Sequence, residues 1–154
     1  MATPYAESLS FLLSQLGAHV ARRFADELAE SGVTARGFGV LSNVVDLGPR
    51  SQQQLADELG IHRNNMVGLI DEMEHDGLVQ RVRNAADRRS FLIEATPSGR
   101  RAVSEVNTIV PPLDAEIADG LDEDATAVLT ATLRDLARAA GLTPGVHPHL
   151  GGHR

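Results

Sequence analysis

From Tyr5 onward, apolar residues return every three or four positions, at Leu9, Leu12, Leu13, Leu16, Val20, Phe24 and Leu28. That is the period of a long helix with one buried face, for which Thr3 and Pro4 suit the N-cap and first turn and Ser31-Gly32 the end. Thr34 caps a second helix carrying Phe38, Val40, Leu41, Val44 and Val45, stopped by Leu47-Gly48-Pro49. Ser51-Gln52-Gln53-Gln54 has the Ser-x-x-Gln form of a capping box and opens a short helix through Leu55, Ala56 and Leu59, closed by Gly60. A further helix follows to about His75, with Met66, Leu69, Ile70 and Met73 on its buried face and Gly77 as its stop.

The period then changes. Residues 78–83 and 90–95 read as short strands, joined by the polar turn Asn84-Ala85-Ala86-Asp87-Arg88-Arg89 into a hairpin. Thr96-Pro97 starts another helix through Val103, Val106, Ile109, Val110, Leu113, Ile117 and Leu121, in which Pro111-Pro112 is expected to kink or break the ladder. Asp122 caps a last helix with Val128, Leu129, Leu133 and Leu136, ended by Gly141. The expected class is mainly α with one small β-hairpin. Its parts are an N-terminal helix in 1–33, a head in 34–96 with the hairpin at about 78–95, helices in 97–141, and a Gly/Pro/His-rich tail in 142–154.

Composition changes this picture in one respect. The 154-residue chain carries 14 basic residues, all arginine, against 21 carboxylates, a net charge of −7 that argues against a polyanionic partner. Along the chain the balance is −6 for residues 1–76, +4 for 77–101 and −5 for 102–154. The hairpin is therefore a basic segment in an acidic protein, and the place to look for a polyanion contact. Cysteine is absent, which excludes disulfides, thiolate metal sites and cysteine nucleophiles. No apolar run approaches the roughly 18 residues that span a bilayer, and no secretory signal opens the chain, so a cytoplasmic protein is expected.

Short helix, glycine turn, second helix and basic hairpin is the order of a winged helix-turn-helix, which reads double-stranded DNA. Opposite the buried face of the second helix lie Asn64 and Gly68, flanked by Asn65 and Val67, with Arg63 at the first turn. Asn suits adenine edges, Arg suits guanine or phosphate, and Gly permits close approach. In the hairpin, Arg81, Arg83, Arg88 and Arg89 suit a narrow minor groove. Asp87 either orients a neighbouring arginine or stiffens the turn, and the two roles are compatible. Asp71, Glu72 and His75 would repel phosphate or point away.

The runs Ser51–Gly60, Leu69–Val79, Asp87-Arg88-Arg89 and Ala95-Thr96-Pro97-Ser98-Gly99-Arg100 resemble the MarR family of regulators, over about residues 5 to 141. The resemblance implies a homodimer joined by a helical dimerisation domain built from the N- and C-terminal helices. Its two winged heads would read a pseudo-palindromic operator, usually to repress nearby genes. It implies a wing arginine at Arg89 with Asp87, recognition-helix contacts at Arg63, Asn64, Asn65, Val67 and Gly68, and a phosphate contact at Ser51. His62 stands where the family usually has a Ser or Thr cap, Gly68 replaces a frequent polar contact, and Pro111-Pro112 interrupts a dimerisation helix.

The family often binds small aromatic acids. His19, Arg22, Arg23 or Arg36 can anchor such an anionic effector, or can pair with Asp26, Glu27 or Glu30 at helical spacing. His147, His149 and His153 offer imidazoles to a metal but lack carboxylate or thiolate neighbours, so neither metal nor cofactor is expected. No nucleophile-base arrangement or phosphate loop appears, and Asp122-Glu123-Asp124 reads as an acidic helix start, so no enzyme is expected. The expected function is a ligand-responsive repressor. The alternatives are a winged-helix protein-interaction module and a metal-responsive regulator using the C-terminal histidines.

Overall fold

The computed structural model describes residues 4–142; Thr3 and the tail histidines His147, His149 and His153 lie outside them. Six helices and one hairpin follow in order: α1 (Leu9–Ser31), α2 (Ala35–Leu47), α3 (Gln52–Leu59), α4 (Arg63–His75), β1 (Val79–Arg83), β2 (Phe91–Ala95), α5 (Pro97–Ile117) and α6 (Glu123–Ala139). Side-chain caps are where the polar residues suggested: Thr34, Ser51, Thr96 and Asp122 each accept a hydrogen bond from the backbone N–H three residues on. Ser51 and Gln54 form the reciprocal box. Gly48, Gly60 and Gly77 adopt positive φ at the three stops within the head.

Two ends differ from expectation. The first helix begins at Leu9, because Ser8 is extended and its Oγ accepts from Phe11 N–H at 3.3 Å, which separates a single 3-10 turn at Tyr5–Glu7. The apolar period runs through that break, since Tyr5 still packs on Phe11 with ring centroids 4.9 Å apart. Second, α5 continues through Pro111 and Pro112 to Ile117. Leu113 is buried just beyond the prolines and Arg23 of α1 grips Glu116, so the tertiary contacts hold the last turn in place despite two missing donors.

One core joins α2, α3, α4, the hairpin and the start of α5. Val40, Leu41, Val44, Leu55, Met66, Ile70, Val79 and Ile93 are all 2% exposed or less. The predicted inner face of α4 holds: Met66, Ile70 and Met73 are buried and Leu69 packs partly against them. Outside this core, α1 buries only Leu28 and α6 buries nothing. Their apolar stripes, including Leu9, Leu16, Leu129 and Leu133, face outward. No helix among the described residues is long and apolar enough to cross a membrane.

Candidate nucleic-acid interface

The recognition element begins where α3 ends. Gly60 turns the chain at φ 64°, and His62 enters α4 with its imidazole Nδ1 accepting from Asn64 N–H at 3.3 Å. Histidine therefore does the work of the usual hydroxyl cap, on the second rather than the third helical N–H. Because burial of Met66, Ile70 and Met73 sets the helix rotation, Arg63, Asn64, Asn65, Val67 and Gly68 are all exposed. Val67 is 47% exposed, an apolar group at a position where solvent alone gives it no partner. A Cβ at Gly68 would meet nothing within 4 Å. No packing among the described residues requires that glycine, although glycine in a helix interior costs about 1 kcal/mol relative to alanine.

Ser51 lies at the N-cap of α3, where its Oγ accepts from Gln54 N–H at 3.1 Å. A hydroxyl that accepts one bond retains a proton to donate, so capping leaves Ser51 able to bind a phosphate. The residue before it has a role not legible in sequence. Arg50 exchanges two main-chain bonds with Ile93, at 3.1 and 2.6 Å, adding a one-residue edge to the hairpin and fastening the start of α3 to the wing.

The hairpin pairs Arg81 with Ile93 and Arg83 with Phe91. Its tip is stiffened from within. Asp87 Oδ1 accepts from Arg89 N–H at 3.0 Å, Asn84 Oδ1 accepts from Ala86 N–H at 3.0 Å, and Ser90 Oγ donates to Asp87 O and accepts from Asn84 Nδ2. Asp87 thus holds the arginine's main chain and leaves its guanidinium alone. Arg83 donates to Arg88 O at 3.0 Å and lies 5.4 Å from the centre of the Phe91 ring. Arg88 and Arg89 are exposed, and neither has an ion-pair partner among the described residues.

Arg81 differs from the other three. In sequence it belongs with the groove-directed arginines, yet its guanidinium is bound by Asp71 (2.6 Å) and Glu74 of α4. Hydrogen bonding to Asp71 is the main cause of a raised Arg81 pKa, opposed by partial burial and aided by Glu74. Asp71, which in sequence looked merely repulsive toward phosphate, is thus one of its partners, and Glu74 is the other. A sequence signal existed: Arg81 shares strand parity with buried Val79, and Asp71 and Glu74 stand one turn apart on the preceding helix.

The four proposed effector anchors separate. Arg23 makes a two-pronged bond to Glu116 of α5, at 3.1 and 2.9 Å, and a longer one to Glu27 at 3.4 Å. The hydrogen bond from Arg23 lowers the Glu116 pKa, with nearby His19 adding to the effect. His19, Arg22 and Arg36 are exposed and form no ion pair among the described residues. Among those residues, no group of three His, Asp or Glu side chains is placed to hold a metal ion.

Comparison with known proteins agrees with the fold. Residues 31–90 match the model of the MarR family. A protein ascribed to transcriptional regulation of the hcr operon in Thauera aromatica is 27% identical over 124 residues, 80% of this chain and 75% of the relative. CouR from Rhodococcus jostii RHA1, solved bound to p-coumaroyl-CoA, superposes with a TM-score of 0.71 at 28% identity, covering 88% of this chain and 96% of CouR. MarR from E. coli, solved in its apo form, shares the fold with a TM-score of 0.75 at 22% identity, covering 88% of this chain and 98% of that one.

Proposed function

We propose that this chain, whose fold is that of MarR-family winged-helix structures, is a transcription regulator binding a pseudo-palindromic operator as a homodimer. The observation that carries the reading is the shared outward direction of Arg63, Asn64, Asn65, Val67 and Gly68, beside a wing whose tip arginines make no ion pair among the described residues. The first two turns of α4 enter the major groove, Ser51 holds a phosphate, and Arg88 and Arg89 approach the flanking minor groove. Arg83 stiffens the wing tip and Arg81 takes no direct part. The mode is repression, relieved by an anionic aromatic effector. His19, Arg22 and Arg36 are its anchors, whereas at Arg23 such a ligand has to displace Glu116. No catalytic step is involved.

The outward apolar stripes of α1 and α6 support the homodimer. An isolated chain would leave Leu9, Leu16, Leu129 and Leu133 in water, each more than 40% exposed, and large apolar patches of this kind mark association surfaces.

A mobility-shift titration across salt tests the reading. Specific binding to a palindrome selected from random DNA should weaken steeply as salt rises, because each phosphate contact releases counterions. Indifference to sequence, or to salt, sinks it. Within that assay Arg89→Ala is expected to reduce affinity most on operators with A/T-rich flanks, where the minor groove narrows. Equal loss on every flank makes Arg89 a phosphate contact instead.

Gly68→Ala separates fold from function. The added methyl should raise thermal stability by about 1 kcal/mol, since it relieves the helix and meets nothing. If α4 lies close in the groove, the same methyl weakens operator binding. A variant that is both more stable and an unchanged binder shows that DNA does not approach Gly68.

A further inference from the structure

We propose that Arg81, held by Asp71 and Glu74, sets the angle between the wing and the recognition helix, and so governs the choice of operator flanks without touching DNA. This rests on the DNA-binding reading above and adds a positioning residue to it.

The geometry is that of a lever fixed at one rung. Arg81 and Ile93 face each other across the hairpin. On one side of that rung Ile93 is joined to Arg50 by two main-chain bonds. On the other side Arg81 is joined to α4 three times. Its Nη2 donates to Asp71 Oδ1 at 2.6 Å, its Nη1 to Glu74 Oε2, and its main-chain N–H to Glu74 Oε1 at 3.2 Å. Its side chain is 24% exposed, the carboxylates more so. From Val82 to Leu92, every hydrogen bond among the described residues stays within the hairpin. The wing beyond the Arg81–Ile93 rung is therefore an internally rigid arm whose pitch is set at its root.

The arm is long enough for that pitch to matter. About five residues separate the rung from the tip, roughly 15 Å at strand rise, so a tilt of about 10° displaces Arg89 by ~2–3 Å. A displacement of that size removes a guanidinium from a hydrogen bond. Asp71 and Glu74 lie one turn apart on α4, so the planar guanidinium spans both and couples the wing to the same helix whose N-terminal turns face outward. A lysine at this position would supply charge without the fork.

A double-mutant cycle tests this on the full-length protein, reading affinity for an operator with A/T-rich flanks against one with G/C-rich flanks. Arg81→Ala is expected to reduce that flank ratio to the level of Arg89→Ala, while preference among core base pairs read by Asn64 persists. In the double variant Arg81→Ala should add no further loss of flank preference. Additive losses, with a salt slope reduced by about one in Arg81→Ala, make Arg81 a phosphate contact and overturn the proposal. Should Arg81→Ala fail to fold, Asp71→Asn with Glu74→Gln serves instead. Removing two negative charges near DNA favours binding on every sequence by electrostatics alone; the proposal requires that flank preference nonetheless falls. An unchanged flank ratio in that variant overturns it. A wild-type protein with no sequence preference at all overturns the underlying DNA-binding reading, which the cycle distinguishes from failure of the lever.

Discussion

Leu129→Asp combined with Leu133→Asp is expected to yield a folded monomer whose affinity for a two-half-site operator is lower by about two to four orders of magnitude, the usual worth of joining two binding events in one particle. Leu129, Leu133 and Leu136 lie four and three residues apart on one face of α6, exposed by 44%, 41% and 45%. The helix contributes no residue to the core, so an aspartate there disturbs the head little. In a dimer built on this face, each carboxylate would be buried against apolar surface without a partner, at a cost of several kcal/mol. Sedimentation equilibrium gives the mass, and gel shifts on DNA with one and two half-sites give the coupling. The variant should bind both DNAs alike, as the wild type does not. A variant that remains dimeric, or a monomer that holds the operator as tightly as wild type, removes this face from the assembly.

Gly99→Ala is expected to lower stability markedly. Gly99 is the third residue of α5, at the joint between the head and the long helix. Thr96 ties that joint: its Oγ1 lies 2.6 Å from Gly77 O and 3.1 Å from Leu78 O, and accepts from Gly99 N–H at 3.1 Å. Thr96 N–H also donates to Leu78 O at 3.0 Å. A Cβ on Gly99 would run into that same Leu78 carbonyl, well inside van der Waals contact, and lie 2.9 Å from Leu41 Cδ2. The Leu78 carbonyl is backbone at the entrance to β1 and cannot swing aside as a side chain would. Alanine must therefore either push α5 off the hairpin or break the Thr96 bonds. Overpacking of this kind costs about 1–3 kcal/mol, and the melting temperature should fall by about 2–4 °C for each kcal/mol in a chain of this size. Ser104→Ala, on the exposed side of the same helix, controls for helix propensity. Thermal melts of Gly99→Ala and Gly68→Ala should move in opposite directions, because one glycine faces a carbonyl and the other open space. A Gly99→Ala protein as stable as wild type would show that α5 and the hairpin slide freely at their joint.

The Thr-Pro-x-Gly-Arg run illustrates how much of the fold is legible along the chain. Thr96 as a cap and Pro97 as a first-turn residue follow from local chemistry, and α5 starts where they place it. The need for glycine three residues later follows only from the approach of a strand that lies elsewhere in the sequence. The charge balance behaves similarly. The segment 77–101 is basic in one dimension, yet in three dimensions Arg81 is neutralised by Asp71 and Glu74 from the preceding acidic stretch. The positive charge left facing outward is that of Arg83, Arg88 and Arg89 in the wing and of Arg100 and Arg101 in the first turns of α5.

By itself the sequence determined the helix and strand types, the caps and stops of the head, and the inner and outer faces of α4, because each depends on residues within about a turn of one another. The tertiary structure decided which arginine braces and which is left exposed. It also decided that Arg50 extends the hairpin, that Arg23 grips Glu116, and that α5 passes through two prolines without a break. Those outcomes depend on which distant surfaces meet. A guanidinium has the same charge in either role, and only the carboxylates that folding brings to it distinguish a strut from a contact.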